Sequence, residues 1–235
     1  MKNVLTTAIV MLTCCVTFAK EPKNPLMDSE TVVWVGLDYS LVRIIGGSKG
    51  PYDFTVPDLI FPGMMEKWNQ LFLEERDERV AHALGKRVSI DLSGITERNQ
   101  TASVSQITLT PGDDDVIEKT HIPLTKIASE VQSYKLKTSN GLGLVFIVDR
   151  LVSTKIAQQF AHDAPRERNG GALYIVFFDI ATRNVVSSER VVRYVSSAGN
   201  FRNFWFGPIK DSDSKLSKYS SSSVPPQSRT GKQGR

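Results

Sequence analysis

The sequence has 235 residues, with 29 Lys and Arg against 25 Asp and Glu and a formal net charge of +4. The excess positive charge lies at the two ends, because residues 20–210 hold equal numbers of basic and acidic side chains. A neutral body lacks the broad basic surface that typifies nucleic-acid-binding proteins, so no nucleic-acid partner is predicted. A body of this length can bury about 70% of its unfolded surface and needs no cross-links to fold.

The N-terminus has the pattern of a secretory signal peptide. Lys2 supplies a positive charge, residues 4–18 form a short apolar run, and the small residue Ala19 follows it. The run is too short for a transmembrane anchor, so we expect a signal peptide at residues 1–19 and a mature chain that begins at Lys20. The predicted location is therefore periplasmic or secreted.

The two cysteines, Cys14 and Cys15, both lie inside the predicted signal. The mature chain would therefore have no disulfide, no thiol nucleophile and no cysteine metal site. Lipid attachment at Cys14 or Cys15 is the alternative to simple cleavage. It is disfavoured because neither cysteine follows the small residue that a lipoprotein signal requires.

The pattern of apolar residues predicts the order of helices and strands after a polar leader segment at residues 20–30. The predicted strands are residues 31–38, 41–45 (continuing the first after a kink at Tyr39 and Ser40), 87–92, 104–109, 144–148, 172–180 and 185–195. The predicted helices are residues 63–75, 77–84 and 123–136, with Gly85 as a helix stop. Residues 154–160 fit either a helix or a strand.

The last two strands are the most distinctive stretch of the chain. Residues 172–180 are almost all apolar, with many β-branched and aromatic side chains, which is typical of a strand covered on both faces. Residues 185–195 alternate in character, which is typical of a strand nearer the sheet edge. Thr182, Arg183 and Asn184 predict a tight connection between the two strands, in which Asn184 is able to accept a positive φ.

Together these elements predict an α+β fold, with one domain at residues 31–210. The domain would hold a mixed β-sheet with two or three helices packed on it. Residues 211–235 are rich in Ser, Pro, Gly and Lys, and this composition predicts a disordered basic tail.

The motifs that resemble metal or phosphate sites have the wrong spacing for those functions. Asp113, Asp114 and Asp115 lack the register of a calcium loop, and residues 46–50 lack the Gly-Lys-Ser/Thr ending of a phosphate-binding loop. The sequence therefore predicts no cofactor, no metal site and no catalytic residue. The alternative is a secreted or periplasmic hydrolase-type enzyme that uses His162 and nearby carboxylates.

A small set of polar residues beside aromatic or apolar runs forms the candidate binding group: Asp38, Asp179, Arg202, Asn203 and Trp205. Arg202 stands among aromatic rings and could grip an acidic partner. The favoured alternative is that Arg202 pairs with a buried Asp and holds the C-terminal aromatic segment against the sheet. If Arg202 contacts a partner, the segment is a binding surface. If Arg202 pairs with a buried Asp, the segment is part of the core.

Two stretches carry a resemblance to a known group of proteins. Residues 33–40 read V-W-V-G-L-D-Y-S, and residues 200–205 read N-F-R-N-F-W. They resemble the W-G-x-D-x-S start and the G-F-R-N-Y-W end of a family of small exported proteins of Bacteroidetes-type bacteria, a domain of unknown function. Asn200 stands where that family has Gly, and Phe204 replaces Tyr. The resemblance implies an exported α+β domain and no particular activity.

The sequence as a whole predicts an exported, non-catalytic protein that works by binding or assembly in the cell envelope. Its partner would be a protein or another envelope component, with no transmembrane segment left after signal cleavage.

Overall fold

A computed structural model describes residues 25–46, 63–101, 107–108, 121–153, 169–195 and 211–220. The predicted signal peptide, both cysteines and residues 154–160 lie outside the described residues. The strands are β1 Thr31–Asp38, β2 Arg43–Gly46, β3 Arg87–Ile90, β4 Ile107–Thr108, β5 Leu142–Ser153, β6 Asn169–Asp179 and β7 Val185–Val195. The helices are α1 Pro25–Asp28, α2 Gly63–Leu84, α3 Ser93–Thr101, α4 Leu124–Gln132 and a 3-10 helix at Asp211–Tyr219.

The seven strands occupy five positions in one mixed sheet. β1 and β2 pair in parallel with successive parts of β5, β1 with residues 142–147 and β2 with residues 150–153. β2 therefore continues the line of β1, as predicted from the kink at Tyr39 and Ser40. β3 and β4 pair in parallel with β1 and β2, and β6 and β7 add antiparallel strands beyond β5. This arrangement confirms the predicted α+β fold.

Helices cover both faces of the sheet. On one face α2 packs on β1, where the ring of Trp34 stacks on Phe72 at 4.5 Å and meets Phe146 edge-on at 5.0 Å between centroids. On the other face α3 and α4 contribute Ile95 and Ile127 to a second apolar cluster. All five side chains are at most 2% exposed. Burial of each stabilises the fold by roughly 1.5–3 kcal/mol.

The hairpin of β6 and β7 confirms both strand predictions and corrects the turn. β6 is buried from residue 170 to residue 178, and β7 pairs with β6 alone among the described strands. The positive φ that Asn184 could accept is adopted instead by Arg183, with φ of 60°. Asp179 holds this turn: its Oδ1 accepts hydrogen bonds from the backbone N–H and hydroxyl of Thr182 at 2.7 and 2.8 Å.

The helices depart from prediction in two places. α2 is one continuous helix where two are predicted, and Gly85, with φ of 62°, ends it as expected. α3 is absent from the predictions, because Ile95 is its only apolar residue and no helical periodicity can be read from it. Its start is held by Asp91, whose Oδ1 accepts hydrogen bonds from the backbone N–H and hydroxyl of Ser93 at 3.2 and 2.5 Å.

The domain extends past the predicted boundary at residue 210, so the prediction of a disordered tail is wrong for residues 211–220. Leu216 in the 3-10 helix is fully buried in the apolar cluster between α2 and the sheet, which contains Trp34 and Phe72 and is called the α2 cluster below. The Tyr219 ring lies 4.8 Å from that of Phe177, and its hydroxyl is 3.1 Å from Glu189 Oε2. A 3-10 helix has three residues per turn, so Leu216 and Tyr219 share one side of it. Residues 221–235 lie outside the described residues.

Candidate functional site

The line of strands formed by β1 and β2 is interrupted at residues 39–42, beside the centre of β5. Asp38 ends β1, and its Oδ1 accepts a hydrogen bond from the backbone N–H of Ser40 at 2.8 Å. The backbone N–H of Tyr39 donates to Asn99 Oδ1 at 2.7 Å. Side chains therefore satisfy backbone groups here that a continuous strand would have directed to its neighbours.

Asp38 is fully buried beneath this interruption. The hydroxyl of Tyr134 donates to Asp38 Oδ2 at 2.7 Å, and Arg98 Nε lies 3.5 Å from the same oxygen. Burial and the neighbouring negative charge of Asp38 raise the pKa of Tyr134 well above its usual value, against the opposing effect of Arg98. Tyr134 therefore stays protonated and keeps donating to the carboxylate.

Arg98 connects Asp38 to the outer surface of α4. Its guanidinium lies over the ring of Tyr134 at 5.4 Å and pairs with Glu130 Oε2. The other oxygen of Glu130 pairs with Lys126 Nζ at 2.6 Å, one turn earlier on the same helix. A chain of alternating charges thus runs from buried Asp38 through Arg98 and Glu130 to exposed Lys126.

A second group of charges lies in β5, where the strand is irregular. The register with β6 shifts between Val148 and Arg150, so both Asp149 and Arg150 are buried at this bulge. Arg190 of β7 approaches Asp149 Oδ2 at 3.1 Å through both Nε and Nη2, and Arg150 Nε lies 3.4 Å from Oδ1. Burial lowers the pKa of Arg150 despite Asp149, and the nearby charges of Arg43 and Arg190 lower it further.

Between these two groups lies a pocket of about 210 Å³, called the β1–β2 pocket below. Its floor is the β5 bulge, and its walls come from the start of β2 and from the segment that leads into α4. The N-terminal turn of α4 has no side-chain cap, and the helix dipole makes this end of the helix positive. The lining residues are Leu41, Arg43, His121, Ile122, Pro123, Lys126, Asp149 and Arg150.

Positive charge predominates around the β1–β2 pocket. The cationic side chains in the two connected groups are Arg43, Arg98, Lys126, Arg150 and Arg190, and the carboxylates are Asp38, Glu130 and Asp149. Each carboxylate has a cation within 3.5 Å. The arrangement is therefore suited to holding a negatively charged group and poorly suited to holding a cation.

The structure separates two residues of the predicted binding group. Asp38 pairs in register with Ile147 of β5, whereas Asp179 pairs with Leu142. Five residues of strand correspond to about 17 Å. Asp38 is buried where β1 ends and is not among the residues that line the pocket, whereas Asp179 belongs to the β6–β7 turn, where hydrogen bonds from Thr182 lower its pKa. The other predicted members, Arg202, Asn203 and Trp205, lie outside the described residues, as does His162.

None of the residues that line the β1–β2 pocket belongs to the binding group predicted from the sequence. Asp149 and Arg150 left a signal, because they interrupt an otherwise apolar run at residues 142–152. Charged residues are costly to bury unless they are paired, so such an interruption indicates a special site. No sequence pattern marks Arg43 or Lys126 as part of a site, because single basic residues among polar neighbours are common on protein surfaces.

Two further findings concern the part of the chain that the structure describes. No group of three or more His, Cys, Asp or Glu residues there could hold a metal ion. None of the helices described is long and apolar enough to cross a membrane. In comparisons with known proteins, the chain matches no protein-family model and no curated protein sequence.

Proposed function

We propose that this protein is an exported, non-catalytic binding protein of the cell envelope, and that the β1–β2 pocket is its ligand site. The observation that supports the proposal most strongly is that the three carboxylates around the pocket are all paired with cations. Asp38, Glu130 and Asp149 each lie within 3.5 Å of a cationic side chain. Each of these carboxylates is thus engaged by a cation of the protein itself, and Arg43 adds a further positive charge to the pocket lining. Recognition by charge is the chemistry that this arrangement supports best.

The location of the pocket supports the same proposal. It lies beyond the carboxyl end of β1, and β1 is flanked by β3 on one side and by β5 on the other. The helix that lies between β1 and β3 in the sequence, α2, packs on one face of the sheet, whereas the two helices between β3 and β5, α3 and α4, pack on the other face. In sheets with parallel central strands, ligands commonly bind where successive connections diverge to opposite faces.

The proposal includes export and a relationship to the exported Bacteroidetes-type family. The first motif of the resemblance has a physical basis in the second half of β1 and just after it. Gly36 has φ of 114°, and a Cβ there would lie 2.5 Å from Ile95 Cδ1. Asp38 accepts a hydrogen bond from the backbone N–H of Ser40, and the hydroxyl oxygen of Ser40 accepts one from Arg98. The expected partner is a protein or another envelope component, with no nucleic acid.

The proposal is tested by NMR with a library of neutral, cationic and anionic small molecules. We expect at least one compound to shift the backbone amides of Leu41, Ile122 and Lys126, while the amide of Thr182 at the far end of β6 stays unchanged. The compound should be recovered chemically intact after prolonged incubation. Conversion of a bound compound into a product would instead support the hydrolase-type alternative. A library that leaves all three pocket amides unshifted would contradict a ligand site here.

A further inference from the structure

We propose that the β1–β2 pocket binds the anionic end group of its ligand, a carboxylate or a phosphate, between Arg43, Lys126 and Arg150. This inference rests on the proposed binding function and adds the chemical class of the ligand. Its basis is the charge, the size and the apolar portion of the pocket.

The charge of the lining is the first argument. The pocket lining contains three cationic side chains and one carboxylate. The cations are Arg43, Lys126 and Arg150, and the carboxylate is Asp149. That carboxylate is already shared between Arg150 and Arg190. An anion in the pocket would therefore meet more cationic side chains than carboxylates. Guanidinium groups bind carboxylates and phosphates through two parallel hydrogen bonds.

Repulsion among the arginines points in the same direction. Arg150 is 3% exposed, and its burial lowers its pKa more than the pairing with Asp149 raises it, while the positive charges of Arg43 and Arg190 lower the pKa further. These influences lower the pKa of Arg150, which means that its charged form is destabilised relative to water. A bound anion would offset this destabilisation. Binding would thus relieve an unfavourable interaction as well as add a favourable one.

The size of the pocket limits what enters it. A volume of about 210 Å³ equals about seven water molecules at the density of the liquid. Whole drug-sized ligands occupy about 300–1,000 Å³. The pocket therefore holds a small organic anion, or the charged end of a larger molecule whose remainder stays outside.

The apolar lining favours an organic anion over a bare inorganic ion. Leu41, Ile122 and Pro123 form part of the wall. Leu124 follows directly at the start of α4, where its side chain is 62% exposed. A short carbon chain attached to the anionic group would contact these side chains, and each buried methylene adds favourable free energy of transfer.

The test is isothermal titration calorimetry of the purified protein with succinate, dimethyl succinate and inorganic phosphate. Succinate and phosphate separate the two anion sources, and the dimethyl ester has the same carbon chain without the charge. The Arg43→Gln variant removes one cation from an exposed position of the pocket wall. Its matched control is Arg87→Gln, because Arg87 is also an exposed strand arginine and lies outside the pocket.

We expect succinate or phosphate to bind, and the Arg43→Gln variant to bind at least about tenfold more weakly, since charge-assisted hydrogen bonds are the strongest class. Arg87→Gln should bind as the parent does. Equal affinity for dimethyl succinate, or equal affinity of the parent and Arg43→Gln, would overturn the anion assignment. The proposed binding function would survive those results if neutral or cationic compounds still shift the pocket amides in the NMR experiment.

Discussion

Arg98 Nε lies 3.5 Å from Asp38 Oδ2, and this contact joins α3 to the end of β1. Asp38 is fully buried, and its oxygens are otherwise held by Ser40 and Tyr134. Arg98 thus pairs with both buried Asp38 and Glu130, and Glu130 pairs in turn with Lys126 of the pocket lining. The Arg98 guanidinium therefore connects a carboxylate of the core to a residue of the pocket.

Replacement of Arg98 by Ala should destabilise the protein by about 3 kcal/mol, because it leaves Asp38 as a buried charge without its cation. Tyr134→Phe removes one hydrogen bond to the same carboxylate and should cost about 1–2 kcal/mol. Lys135→Ala is the control, since Lys135 is 83% exposed in a surface pair with Glu97. Urea denaturation measures all three variants. An Arg98→Ala midpoint equal to that of Lys135→Ala would show that the contact is not needed for stability.

Leu216→Ala should destabilise the protein by about 2–5 kcal/mol, because this side chain is fully buried in the α2 cluster. Two truncations provide an independent check on the 3-10 helix. A chain that ends at residue 220 should keep the melting temperature of the parent more closely than a chain that ends at residue 210. Equal melting temperatures for the two truncated chains would contradict the packing of residues 211–220 on the domain.

Much of the fold could be predicted from the sequence, and the exceptions have physical causes. β1, β6 and β7 were predicted because long apolar or alternating runs dominate them. The 3-10 helix was missed because Leu216 and Tyr219 are sparse apolar residues in a serine-rich segment. The pocket was largely missed because its residues come from β2, α4 and β5. Their proximity depends on the strand register and on the bulge at Asp149, neither of which composition reveals.

Asp91 should make stability depend on pH in the acidic range. Burial favours its neutral form, but hydrogen bonds from Ser93 and Thr138 outweigh burial and lower its pKa from 3.8 to about 2. Since the folded-state pKa is the lower one, the stabilisation is complete above about pH 4 and is lost as pH falls through about 2. It amounts to about 2 kcal/mol.

Asp91→Asn tests this pH dependence. Urea denaturation at pH 7 should show the variant to be less stable than the parent, and the difference should shrink at pH 2. A difference in free energy of unfolding that is the same at both pH values would show that the charge of Asp91 is not responsible.

Processing of the N-terminus is a separate prediction. The protein recovered from the native envelope or medium should begin at Lys20 and carry no lipid, as the signal pattern indicates. N-terminal sequencing and intact mass measurement decide the point. A modified Cys14 or Cys15 at the N-terminus would show instead that the protein is a lipoprotein.

Native mass spectrometry of the protein purified without denaturation from its own envelope tests most directly whether the β1–β2 pocket recognises its ligand by charge. The parent and Arg87→Gln should retain a bound small molecule whose loss changes the measured mass, and negative-ion analysis of the released molecule should identify a carboxylate or phosphate. Arg43→Gln should have lost it. An identical mass increment in Arg43→Gln, or a released molecule without an anionic group, would contradict the claim that the β1–β2 pocket recognises its ligand by charge.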